Sequence, residues 1–144
     1  MAHHVLVPVD GSQQAETAFR YALDEHPEST LTLLHVCNPV AMLAYSDDDY
    51  FDVDSYQADL RRQRERGDRI LEELAADAAE RGIEVETVVR SGKPARQILE
   101  VADERAVDHV VMGSHGRSGV GRVVFGSVAE AVTRRATVPV TIIR

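Results

Sequence analysis

Five short apolar runs recur along the chain: "HVLVPV" (4–9), "TLTLLHV" (30–36), "IEVETVV" (83–89), "HVVMG" (109–113) and "VPVTII" (138–143). Several are almost unbroken Val, Ile and Leu, so neither face of such a strand is fit to meet water. Strands of that kind belong in a parallel sheet covered on both sides, and parallel neighbours need a crossover between them. The crossovers are present as helical periods. Ala15, Ala18, Phe19, Ala22 and Leu23 recur at helical spacing; Ile70, Leu71, Leu74 and Ala78 mark a second helix, Ala95, Ile98, Leu99, Ala102 and Ala106 a third, and Val128, Ala131 and Val132 a short fourth. Ser127 and Glu130 stand at capping-box spacing where that last helix begins. The order β α β α β α β α β, with neither repeat nor linker, predicts one α/β domain over residues 1–144 with helices on both faces of a parallel sheet.

One stretch stands apart. Residues 38–59, "NPVAMLAYSDDDYFDVDSYQAD", carry six aspartates and no basic residue. It reads as a solvated excursion leading into the second helix, since the EF-hand spacing with its central glycine and terminal glutamate is missing.

The segment "VVMGSHGRSGVGRVVFGSVAE" (110–130) holds Gly113, Gly116, Gly119, Gly121 and Gly126 between the fourth strand and the fourth helix. In open α/β sheets that edge is where ligands bind, and a helix N-terminus offers unpaired N–H groups to an anion. The chain has 24 acidic residues but none from Gly113 to Ala129, while His115, Arg117 and Arg122 fall inside that window. Glycines that let backbone amides converge, in a window free of acid, suit a phosphate nest; they equally suit tight turns and close helix packing. The P-loop pattern fails because no Gly-Lys-Ser/Thr follows the glycines. The dinucleotide pattern fails because Val124 stands where a third glycine belongs.

A net charge of −8 argues against nucleic acid or an anionic membrane as partner. No apolar run approaches the roughly 18 residues a membrane span needs, and "MAHHVLVPVD" lacks the features of a signal peptide, so a cytoplasmic protein is expected. Cys37 is the only cysteine and reads as a small buried hydrophobe near a strand end. His3 and His4 point to opposite faces if they begin a strand, and no Glu or Cys at metal spacing accompanies His35, His109 or His115. Ser114-His115 lacks the Gly-x-Ser-x-Gly elbow of a hydrolase.

Gly113, two residues, Gly116, nine residues, then Gly126-Ser127 is the pattern G-x2-G-x9-G-[ST] of the ATP-binding universal stress proteins. "VLVPVDGS" (5–12), "LLHV" (33–36), "SGKPARQIL" (91–99) and "VPVTIIR" (138–144) resemble the same family in the same order, over essentially the whole chain. The resemblance implies an open five-stranded sheet of order 3-2-1-4-5, Rossmann-like and akin to the adenine nucleotide alpha hydrolases. That order sets strand 1 beside strand 4 and opens Asp10 and the glycine loop on one crevice.

In such proteins Pro8 and Asp10, with Val9 and Ser12 beside them, sit against adenosine, and the backbone of Val36 faces adenine. Met112 lines the pocket, and Gly113, Gly116, Gly126, Ser127 and Val128 cradle ribose and phosphates, with Arg117 a further candidate. Asp10 also suits a turn or cap for the first helix, and Ser127 an N-cap for the fourth. The implied function is a regulatory protein that binds ATP with Mg²⁺ in a stress response and is not an enzyme beyond slow hydrolysis. The alternative is an α/β enzyme using ATP, of slow ATPase or nucleotidyl-transfer type, although His-x-Gly-His and Ser-Gly-Gly-x-Asp-Ser signatures are missing. The run Val138–Ile143 would be an edge strand, and the resemblance implies a homodimer that pairs it with its two-fold mate.

Overall fold

The computed structural model describes residues 3–38, 53–114 and 126–144, and within them each of the five apolar runs supplies a strand. β1 (His4–Pro8), β2 (Thr30–Cys37), β3 (Val85–Ser91), β4 (His109–Gly113) and β5 (Val140–Ile143) alternate with α1 (Gln13–Glu25), α2 (Val53–Glu80), α3 (Pro94–Glu104) and α4 (Ser127–Arg135). All neighbouring strands are parallel and the sheet runs β3-β2-β1-β4-β5, as expected. β1 is central, and Val5, Leu6 and Val7 are wholly shielded from solvent.

Successive side chains of a strand point to opposite faces, so a run apolar at every position must feed two cores. Val5, Val7, Leu31, Leu33 and Val111 pack under α1 and α2 with Phe19, Leu23, Leu71 and Leu74. Leu6, Leu34, Val110 and Met112 pack under α3 and α4 with Ile98, Val101 and Val132.

Three boundaries differ from the sequence reading. The second helix does not wait for its apolar stripe: Val53–Asp59, read as the end of a solvated excursion, are its first turns, while 39–52 lie outside the described residues. These turns carry little apolar surface, which is why periodicity misses them, and Asp54 in the first turn complements the helix dipole. The third helix ends at Glu104, because Ala106 turns to φ 50°, the left-handed conformation that stops a helix. The fourth is not capped by Ser127, which is its first helical residue; Gly126 is the N-cap and offers no side chain.

Candidate functional site

β1 and β4 are neighbours, and the chain leaves them for α1 on one face of the sheet and α4 on the other. A crevice therefore opens beyond their C-terminal ends. Its cavity of about 220 Å³ is walled by Pro8 at the end of β1 and Val9 and Asp10 after it, Leu34 and Val36 of β2, and Met112, Gly113 and Ser114 at β4. Pro94 and Ile98 of α3, Ala15 of α1, and Gly126 to Ala129 at the start of α4 complete it. Typical pockets for small ligands run from roughly 300 to 1,000 Å³, so these walls enclose only part of a ligand of that size.

The β1 edge of the crevice is built by a turn. Register with β2 ends at Pro8 opposite Leu34, and the Val9 amide still donates to the Leu34 carbonyl at 2.8 Å. Asp10 Oδ1 then accepts the Ser12 amide at 2.9 Å, Gly11 takes φ 83°, and Ser12 Oγ accepts the Ala15 amide at 3.1 Å as the N-cap of α1. The two cap-or-turn roles thus divide: Asp10 closes the turn and Ser12 caps the helix.

On the β4 side, buried Ser114 donates its amide to the Ile143 carbonyl at 2.8 Å and accepts the Gly126 amide on its own carbonyl at 2.7 Å. The first helical bond of α4 runs from the Glu130 amide to the Gly126 carbonyl at 3.0 Å. The amides of Ser127, Val128 and Ala129 precede it and have no acceptor within the helix, and the glycine cap supplies none from a side chain. These donors carry the positive end of the helix dipole to the crevice mouth. Gly113 answers a packing need: a Cβ there would lie 2.9 Å from Gln14 Cβ and 3.0 Å from Gln14 C, so its bare backbone lets the start of α1 close on β4.

Of the residues the family resemblance assigns to a nucleotide, Pro8, Val9, Asp10, Val36, Met112, Gly113, Gly126, Ser127 and Val128 line this one cavity. Ser12 does not line it. Gly116 and Arg117, with His115, Gly119, Gly121, Arg122 and Val124, lie outside the described residues. Ala15, Leu34, Pro94, Ile98, Ser114 and Ala129 are walls the sequence reading did not name. Ile98 and Ala15 already carried a signal, as apolar positions facing the sheet, but nothing in a helical period tells a core position from a wall resting on the core.

The remaining reactive side chains lie elsewhere. Cys37 ends β2, buried, and burial above all pushes its thiol up, with Arg64 pulling it down and Asp68 adding to the rise. Three histidines gather beyond the N-terminal ends of β1 and β4. His3, just before β1, lies with its ring 5.8 Å from His26 and 6.1 Å from His109, which are 5.1 Å from each other, while His4 turns to the other face and meets Thr32 Oγ1 at 2.7 Å. Among the described residues no three His, Cys, Asp or Glu side chains converge as a metal site.

The model of the universal stress protein family matches residues 1–144. The chain belongs to that family. The universal stress protein YxiE of Bacillus subtilis is 34% identical over 148 residues, with both chains fully covered. The solved structure of the Methanocaldococcus jannaschii protein MJ0577, also a universal stress protein, superposes with a TM-score of 0.83 at 25% identity, covering 99% of this chain and 96% of that one. Two further structures share the fold. A universal stress protein in complex with cAMP is 24% identical, with a TM-score of 0.68 and 99% and 97% of the two chains covered. An Arabidopsis thaliana family member with AMP bound is 20% identical, at 0.69 with 98% and 90% covered. Among the described residues of this universal stress protein, no helix is long and apolar enough to cross a membrane.

Proposed function

We propose that this universal stress protein binds ATP with Mg²⁺ in the crevice between β1 and β4, and that occupancy of the site, not turnover, is its output. The observation that carries this reading is the start of α4, whose first amides have no partner among the described residues and whose residues line the same cavity as Asp10 and an apolar slot between Val36, Met112 and Ile98. A flat base suits the slot, a ribose hydroxyl suits the carboxylate, and phosphates suit the amides. Nucleotides on neighbours of the same fold, cAMP on one and AMP on another, are in keeping with it.

Asp10 is the one ionisable side chain in the described wall, and one of its oxygens is committed to the Ser12 amide. No second ionisable side chain stands beside it in the described wall, so that wall supports binding over hydrolysis. It also suits a magnesium ion that arrives on the phosphates and keeps most of its waters, since Mg²⁺ is commonly held by one or two carboxylates plus substrate phosphate. The working form is a cytoplasmic homodimer, paired through the open edge of β5.

Calorimetry with ATP, ADP, AMP and cAMP tests the site, together with the mass of any small molecule released on denaturation. ATP at about 100 times its Kd should add about 2.7 kcal/mol to stability; no heat and no stabilisation at millimolar ATP would refute the reading.

A further inference from the structure

We propose that His35 is a positioning residue for this crevice: its imidazole fixes the Val9 carbonyl, and with it the turn on which Asp10 presents its carboxylate. The inference rests on the nucleotide-binding reading above, and extends it to a side chain that does not line the cavity.

Val9 sits where β1 leaves the sheet. Its amide is still paired with the Leu34 carbonyl, but strand register has ended one residue earlier, at Pro8 opposite Leu34. The Val9 carbonyl instead faces His35 Nδ1 at 2.9 Å, in a buried setting. A carbonyl only accepts, so Nδ1 carries the proton and donates. Strand pairing with β2 has ended before Val9, and Val9 and Val36 both line the cavity. The imidazole, on the α2 side, bridges from β2 to the Val9 carbonyl where strand pairing has ended. The next residue after Val9 is Asp10, and the following turn is tied by the Asp10 to Ser12 hydrogen bond of 2.9 Å.

The ring is itself held. Gly67 in the middle of α2 is buried, and a Cβ there would come within 2.3 Å of His35 Cδ2 and 2.9 Å of Nε2. Glycine inside a helix costs about 1 kcal/mol relative to alanine, so its place here is explained by the ring it admits. One turn along, Ile70 of the same helix approaches Gly11 of the turn: a Cβ at Gly11 would stand 3.0 Å from Ile70 Cδ1. α2 therefore presses on the crevice turn twice, once through His35 and once directly.

The test separates positioning from plain stability. ATP affinity by calorimetry and exchange of the Ser12 amide by NMR, the latter in ligand-free protein, are measured for the unmodified protein, His35→Leu and His35→Asn. The asparagine amide reaches about as far as Nδ1 and can still donate to Val9, whereas leucine fills the space without a donor. His35→Leu is expected to weaken ATP binding about three- to tenfold, the range set by one neutral hydrogen bond, and to speed Ser12 exchange. His35→Asn should restore both to near the unmodified values. Equal loss in the two variants, or a folded His35→Leu with unchanged affinity and exchange, would overturn the proposal. If His35→Leu does not fold, Gly67→Ala carries the test, since it displaces the ring and leaves its nitrogens intact: faster Ser12 exchange and weaker binding support the proposal, and no change in either overturns it. Absence of ATP binding in the unmodified protein would instead count against the nucleotide reading, while the exchange measurement still decides the role of His35.

Discussion

The Gly126 amide donates to the Ser114 carbonyl across 2.7 Å, so the chain that leaves β4 comes back to the same point before entering α4. Gly126 does this with φ −61° and ψ 155°, extended backbone open to any residue. No conformational need keeps a side chain away, and these are the angles of a good N-cap. Gly126→Asp should therefore stabilise the fold by a few tenths to about 1 kcal/mol, by capping α4 and complementing its dipole. The same carboxylate would occupy the free amides and repel a phosphate, so ATP affinity should fall at least about tenfold. Thermal unfolding and calorimetry on one preparation would show the two effects moving in opposite directions. Loss of both stability and binding would mean that Gly126 is needed for the fold itself.

Ser12 is the counterpart on the other side of the crevice. Its Oγ is the acceptor for the Ala15 amide, and it does not line the cavity. Ser12→Ala should cost about 1 kcal/mol of stability, the usual loss of an N-cap, and leave the Kd for ATP within about twofold. The Asp10 turn survives, because its bond is to the Ser12 backbone amide. A large affinity loss at constant stability would return Ser12 to the nucleotide.

What the sequence discloses follows from what each signal measures. The stripe Ala15, Ala18, Phe19, Ala22 and Leu23 is buried to the last residue, because periodicity reports burial directly. Val53–Asp59 carry no such signal for the same reason: a helical turn that buries little leaves no stripe. The cap of α4 lies one residue before Ser127, since Gly126 and Ser127 both suit an N-terminus and only backbone angles separate them. Strand order came from family likeness, as did the gathering of Pro8, Val36 and Met112 into one wall. Pro94 and Ser114 were invisible as walls because their role depends on which elements become neighbours. Likewise nothing local joins His3, His26 and His109, which meet only because β4 lies beside β1.

That cluster predicts a pH dependence. Burial lowers the pKa of His109 from its ordinary 6.5, and His26 and then His3 lower it further. Its ring also meets Thr141 Oγ1 at 2.7 Å, and the Asp108 carboxylate lies 3.8 Å from His3. Between the depressed folded value and 6.5 the unfolded chain binds more protons at this position than the folded one. Stability is therefore full above 6.5 and declines as pH falls through that window, levelling off below the folded value. Unfolding midpoints from pH 8 down to pH 5 should show this slope, and His109→Gln, whose amide reaches the Nε2 position and can still meet Thr141, should flatten it. An identical slope in the variant would place the effect on other groups.

The proposed homodimer makes the most exposed prediction, because it depends on one edge of the sheet. β5 is an end strand, and it spans Val140–Ile143, two residues shorter than its apolar run. The carbonyls of Pro139 and Ile143 accept from Val110 and Ser114, so the backbone of these alternate residues faces β4. Strand alternation then turns the N–H and C=O groups of Val140 and Ile142 outward, where a second copy could continue the sheet. Their side chains do not point at such a partner. Val138, Val140 and Ile142 pack on the core under α3 and α4. A charge at Ile142 would thus wound the core before it tested an interface. Val140→Pro is the cleaner probe: it keeps most of the apolar volume, leaves the bonds to β4 in place, and deletes one outward donor. Light scattering over a micromolar concentration series should report a dimer for the unmodified protein and a shift toward monomer for Val140→Pro, with unfolding midpoints close together. A monomer before any substitution would rule out the β5 interface.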